Sequence, residues 1–170
     1  TRPLAKPAPD SAVTERGQTT VIDVLANDAA TNPYPETPLQ VIAIRGIDGA
    51  GLPDGVTVVP SADNSRLTVT VAGSAVPQDV SLQYQVADAT LDPDRYVWGT
   101  VTISIQDVPD PVTGVSVVEF GDRLLRAAWT PGQFNNSPIT EYRVTMTDAD
   151  SGEQISDDLH LHRGLRADHP

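Results

Sequence analysis

Cysteine is absent from the 170 residues, which excludes disulfide staples, thiolate nucleophiles and zinc–thiolate sites. Lysine occurs once, at Lys6 in a proline-rich leader, so an intramolecular isopeptide bond has no buried lysine to draw on. Histidine is confined to His160, His162 and His169, which leaves serine without a credible general base in the rest of the chain. Aromatics make up only 5% of residues, so any core must rest on Val, Ile, Leu and Ala. No apolar stretch approaches the roughly 20 residues that a spanning helix requires. The glycine-rich stretch Gly46–Gly55 contains Asp48 and Asp54 and no lysine, so it is not a phosphate loop. The chain has no initiating Met and no signal-peptide pattern, and it is expected to be an interior piece of a longer protein.

What is present is acid and punctuation. The net charge is −12, and 18 of the 23 acidic residues are Asp. Nucleic acid and anionic membrane surfaces are therefore excluded as partners. Solubility accounts for such acidity. Ca²⁺ binding is the sharper reading, because a hard cation takes carboxylate and carbonyl oxygens. Fifteen prolines and twelve glycines lie between short apolar runs, a pattern of many turns and few helices.

Residues 1–10 hold three prolines and no alternation, and are expected to be an extended linker. Runs with the period of two follow at Thr19–Leu25, Leu39–Ile47, Gly55–Val59, Arg66–Val71, Ser81–Val86 and Gly99–Ile105. In the first, Val21 is expected to face inward. In the second, Leu39, Val41, Ala43 and Arg45 share one face. Asp63-Asn64-Ser65 falls where a hairpin loop belongs. These runs predict a β-sandwich over residues 11–108. Pro109-Asp110-Pro111 forms a stiff join. A second series begins at 112: Val115, Val117 and Phe120, then Arg123–Thr130, then Ile139–Thr147, with Gln154-Ile155-Ser156 starting a fourth strand. It is bounded at 112–157. Residues 158–170 differ in composition and are expected to be an irregular tail, from an altered reading frame or a fragment end.

The run Val24-Leu25-Ala26-Asn27-Asp28, with Leu82-Gln83-Tyr84-Gln85-Val86-Ala87-Asp88 and Trp98–Ile105, resembles the Ig-like or cadherin-like repeats of large actinobacterial surface proteins. Trp129 followed by Ser137-Pro138-Ile139-Thr140-Glu141-Tyr142 resembles strands B and C of a fibronectin type III domain. The resemblances imply an all-β chain: an Ig-like β-sandwich followed by the N-terminal half of a fibronectin type III sandwich. They imply a core that includes Val21, Val24, Leu25, Val41, Tyr84, Val101, Ile103, Trp129 and Tyr142. They also imply a secreted or cell-surface, non-enzymatic spacer or adhesion module. Its partners would be neighbouring domains of the same kind and an unidentified protein or glycan.

Two alternatives stay open. One is an accessory, glycan-binding module of an extracellular polysaccharide-degrading enzyme, with Tyr34, Tyr96, Trp98 and Phe134 as surface aromatics that stack on sugars. The other is a Ca²⁺-rigidified rod. Its candidate ligands are Asp107 and Asp110 at the join, and Asp88, Asp92 and Asp94 in the loop before the last strand. Asn27 and Asp28 read as turn formers, because the loop that follows them carries a single carboxylate, Glu36. His160 and His162 have a strand-like chelating spacing but no evident third ligand.

Overall fold

The computed structural model describes residues 1–121, 124–154, 159–162 and 167–169, with side chains for 1–47, 49–117 and 126–154. It divides into two units, Thr1–Asp107 and Val108–Pro170. The first unit contains β1 (Asp10–Glu15), β2 (Thr19–Ile22), β3 (Gln40–Gly46), β4 (Val56–Pro60), β5 (Leu67–Val71), β6 (Gln78–Ala87) and β7 (Val97–Gln106). They form two sheets, in the orders β1-β7-β6-β3 and β2-β5-β4.

The long hairpin of β6 and β7 is the spine of this sandwich, registered from Gln78 opposite Ile105 to Val86 opposite Val97. Successive side chains on a strand point to opposite faces, so alternate residues enter the core. Val80, Leu82, Tyr84 and Val86 do so from β6, and Val101, Ile103 and Ile105 from β7. Leu67, Val69 and Val71 of β5 meet them from the other sheet. The β4–β5 turn closes as its chemistry predicts. Asn64 takes φ 57°, and Asp63 accepts hydrogen bonds from Ser61 Oγ at 2.7 Å and Ser65 N at 3.1 Å. Those bonds hold the Asp63 carboxyl down at about 2.

Four features differ from the sequence reading. Val21 is 55% exposed, and Ile22 is buried instead. A one-residue change of phase reverses every side chain of a strand, and apolar residues at both 21 and 22 left the phase open. In β3 a bulge between Val41 and Ala43 shifts the register, so Leu39 and Val41 are buried before it and Gly46 after it, while Arg45 is exposed. Strand β1 falls in Asp10–Glu15, where no run was expected, and it pairs parallel with β7. Finally, residues 1–9 are not a free linker, because Ala5 is buried in the core of the first unit.

The second unit contains β8 (Thr113–Gly121), β9 (Leu124–Thr130), β10 (Glu141–Val144), β11 (Leu159–His162) and β12 (Ala167–His169), arranged as sheets β12-β9-β8 and β10-β11. The expected irregular tail thus contributes two strands: β11 pairs antiparallel with β10, and β12 with β9. Leu159-His160-Leu161-His162 carries the alternation that its unusual composition obscured. His160 and His162 sit opposite Arg143 and Glu141 in that pairing. Ile155 and Ser156 lie outside the described residues. Trp129 and Tyr142 are half-buried rather than fully enclosed, and they meet edge to face with centroids 5.2 Å apart.

Gly99 faces Tyr84 across the ladder, and a Cβ there would overlap the Tyr84 ring and hydroxyl. Gly99→Ala is expected to destabilise the first unit by about 1–3 kcal/mol in denaturant melts, through overpacking. The phase of β2 is tested by two further variants. Ile22→Ala is expected to lower stability by about 2–5 kcal/mol, whereas Val21→Thr should stay within about 0.5 kcal/mol of the parent.

Candidate functional site

Tyr84 places a hydroxyl at the end of the core where residues 8–10 cross the turn after β2. The oxygen lies 2.8 Å from Asp10 Oδ2, 3.1 Å from Asp28 Oδ2, 3.2 Å from the Val24 carbonyl and 3.5 Å from the Ala8 carbonyl. Asp28 is fully buried, and its other oxygen accepts the Ala8 N–H at 2.6 Å. Asp10 is half-buried and accepts from Asn27 Nδ2 at 2.8 Å. Burial disfavours the charged forms and raises both carboxyls above the ordinary Asp range. The same burial, with the two carboxylates beside it, pushes the Tyr84 phenol up. Asn27 and Asp28 do form a turn, with Asp28 N–H donating to the Leu25 carbonyl at 3.1 Å. The larger part of their role is to hold the leading segment, which sequence reasoning missed. The available signal was an Asp directly after a strand's apolar run, with Ala29 and Ala30 leaving it nothing local to serve.

A second clamp holds the far end of the same segment. Arg95 Nε donates to Asp88 Oδ2 at 2.8 Å, while its other nitrogens donate to the carbonyls of Arg2 at 3.1 Å and Pro3 at 3.0 Å. Arg2 stacks over the Tyr34 ring at 4.4 Å and donates to the Pro33 carbonyl at 2.7 Å. Lys6 N–H donates to Thr31 Oγ1 at 2.9 Å. Residues 2–8 are therefore a strap, fastened along one side of the sandwich. At the unit's other end, the Arg16 guanidinium pairs with Asp107.

The proposed Ca²⁺ ligands are not gathered into a site. Asp88 is buried, and its oxygens are taken by Arg95 and by the backbone and hydroxyl of Thr90. Burial alone would raise its pKa, but the Thr90 and Arg95 hydrogen bonds outweigh that and hold it low. Asp92 caps the 3₁₀ turn Pro93–Arg95 by accepting from Asp94 N–H. Asp107 is held by Arg16, and Asp110 accepts from Asn135 Nδ2 at 3.1 Å. Among the described residues, no three His, Cys, Asp or Glu side chains converge on a point. Two of the four candidate sugar-stacking aromatics are covered by arginines. Arg45 lies 3.7 Å over the Trp98 ring, and Arg2 covers Tyr34. Tyr96 donates its hydroxyl to the Leu91 carbonyl at 3.3 Å, and Phe134 is exposed.

Two facing sheets, a parallel pairing of first and last strands and a buried tyrosine on the sixth define an Ig-like β-sandwich. The chain is similar to cell-adhesion proteins. It is 29% identical over 106 residues to the neural cell adhesion molecule L1.1 of Danio rerio, covering 59% of this chain and 8% of that protein. It is 40% identical over 58 residues to the neural cell adhesion molecule L1 of Takifugu rubripes, covering 34% of this chain and 4% of that protein. The chain therefore spans only a small part of either relative. A crystal structure of consecutive titin domains superposes with a TM-score of 0.52 at 17% identity, over 94% of this chain and 50% of that one. That likeness shows the fold. No family model matches. Among the described residues, no helix is long and apolar enough to cross a membrane.

Arg95→Met would leave the Asp88 carboxylate buried without its partner, and is expected to lower stability by about 3–5 kcal/mol in denaturant melts. It should also expose residues 2–8 to limited proteolysis. Millimolar Ca²⁺ is expected to leave the melting temperature unchanged. A rise that a chelator reverses, and that Asp107→Asn removes, would reinstate the cation-stiffened rod.

Proposed function

We propose that this chain is a non-enzymatic structural module of an extracellular adhesion-type protein, and that its first unit is a load-bearing spacer. One observation carries the reading: β1 and β7 lie side by side and parallel, from Asp10 opposite Val101 to Glu15 opposite Gln106. The chain enters this ladder at Asp10 and leaves it after Gln106, so its two ends depart from opposite ends of the same ladder. Tension between them loads the inter-strand hydrogen bonds together, in shear, rather than one after another. Both ends of the ladder are reinforced. Ala8 is held by Asp28 on the way in, and Arg16 N–H donates to the Gln106 carbonyl at 3.1 Å on the way out.

The L1-type relatives support the adhesion setting and, with it, a place outside the cell. The resemblance of the Val24–Asp28 run to actinobacterial surface repeats supports a bacterial surface protein. The proposed partners are neighbouring domains of the same kind in the parent chain. The arginine-covered aromatics favour a spacer over a glycan-binding module.

The test is single-molecule stretching of the chain from its two ends. Proline removes a backbone donor, so Ala12→Pro and Val13→Pro sample both phases of the ladder. At least one should lower the unfolding force of the first unit markedly. Equal forces for parent and both variants would refute the load-bearing role. Retention of the chain on insoluble polysaccharide, lost with Trp98→Ala, would return the glycan-binding reading.

A further inference from the structure

The buried hydroxyl of Tyr84 faces more acceptors than it has hydrogens. It can donate one hydrogen bond, and four oxygens lie within 3.5 Å of it, two of them on carboxyl groups. Asp28 is fully buried, and neither Asp10 nor Asp28 forms an ion pair among the described residues. The other acid acting on Asp10 is Asp23, just past β2, which adds repulsion rather than relief. Lys6 enters the neighbouring contacts through its backbone, and its side chain is exposed. Arg95 is engaged at the strap's other end with Asp88. With both carboxyls ionised, one hydroxyl hydrogen must serve two anions, one buried and one half-buried. With one extra proton on the pair, a carboxyl O–H can donate to the Tyr84 oxygen while the phenol donates to the other carboxylate. Both carboxyl groups and the phenol oxygen are then hydrogen-bonded to one another.

We propose that Asp10, Tyr84 and Asp28 form a proton-sharing latch that sets how tightly the strap of residues 2–8 is held. One bond ties the latch to the strap: Asp28 accepts the Ala8 N–H at 2.6 Å, and the Tyr84 oxygen lies 3.5 Å from the Ala8 carbonyl. The direction follows from linkage. Both carboxyls have raised affinity for protons in the folded state. Their stabilising contribution is full below the ordinary Asp range and is lost as pH rises through the folded-state values. The strap is therefore fastened more tightly in mild acid and loosens towards neutrality. The Asp88–Arg95 clamp has the opposite sign. Its carboxyl is held low, so that anchor fails only when pH falls below the ordinary range. Between the two limits both anchors hold.

The latch does not require the spacer role, although both use the Ala8–Asp28 bond, and its test reads proton binding and strap protection in the intact chain. Carboxyl-carbon NMR of the isotope-labelled protein gives the titration of each Asp, and amide exchange gives the protection of Ala8, both from about pH 3 to about pH 8. The pair should titrate in two coupled steps, one of them above the ordinary carboxylate range. Ala8 protection should fall by about tenfold per pH unit through that upper step, while Val86 in the β6–β7 ladder stays protected. In Asp28→Asn, the amide donates where the carboxyl proton would, and Ala8 protection should become flat with pH. Ordinary titration of both carboxyls, or pH-independent Ala8 protection in the parent chain, would overturn the latch. If Asp28→Asn does not fold, the parent titration decides the question alone.

Discussion

A buried phenol needs a partner for its hydroxyl, and in the first unit that need organises the surroundings. Tyr84 lies within the core, with its ring in the space that Gly99 leaves open and its oxygen among Asp10, Asp28 and two backbone carbonyls. Its side chain joins the sixth strand to the first strand, to the turn after the second and to the leading strap. Apolar packing between sheets is tolerant of sliding and repacking. A buried polar cluster is not, because each unmade hydrogen bond costs about 1–3 kcal/mol. The valines and leucines supply most of the driving force, and the tyrosine cluster fixes one arrangement of the segments around it.

The polar clamps divide the labour along the edge of the sandwich. Arg95 and Asp88 hold the start of the strap, Asp28 and Tyr84 hold its end, and Arg16 and Asp107 hold the exit from the last strand. Each clamp joins residues distant in sequence, so each closes a loop that the hydrophobic core alone would leave loose. Exposed pairs of this kind contribute little. Asp88 is different because it is buried and fully engaged. Two of the five acids read as candidate metal ligands, Asp88 and Asp107, are thus parts of these clamps.

Much of this fold was legible in the residues. Alternation exposed six of the seven strands in the first unit, and the turn chemistry at Asp63-Asn64-Ser65 located a hairpin correctly. Val24, Leu25, Val41, Tyr84, Val101 and Ile103 are buried as expected. Failures occurred where local pattern is silent about partners. Asp10–Glu15 is a short polar stretch, and it becomes a strand only because β7 offers an edge in register. The phase of β2 was ambiguous because Val21 and Ile22 are both apolar. The bulge in β3 changes which side faces inward partway along, which no periodicity reveals. The tyrosine cluster was hidden for the same reason: its members are 18 residues apart or more, at positions 10, 28 and 84.

The strap changes what counts as one heritable piece. A border drawn by strand pattern falls at residue 11, but Ala5 lies in the core and Ala8 satisfies a buried carboxylate. When modules of this kind are copied, shuffled or lost within a gene, a breakpoint just before the first strand would strip the domain of part of its own interior. The viable breakpoints lie upstream of the strap, so what resembles a spacer between neighbours travels with the domain that follows it.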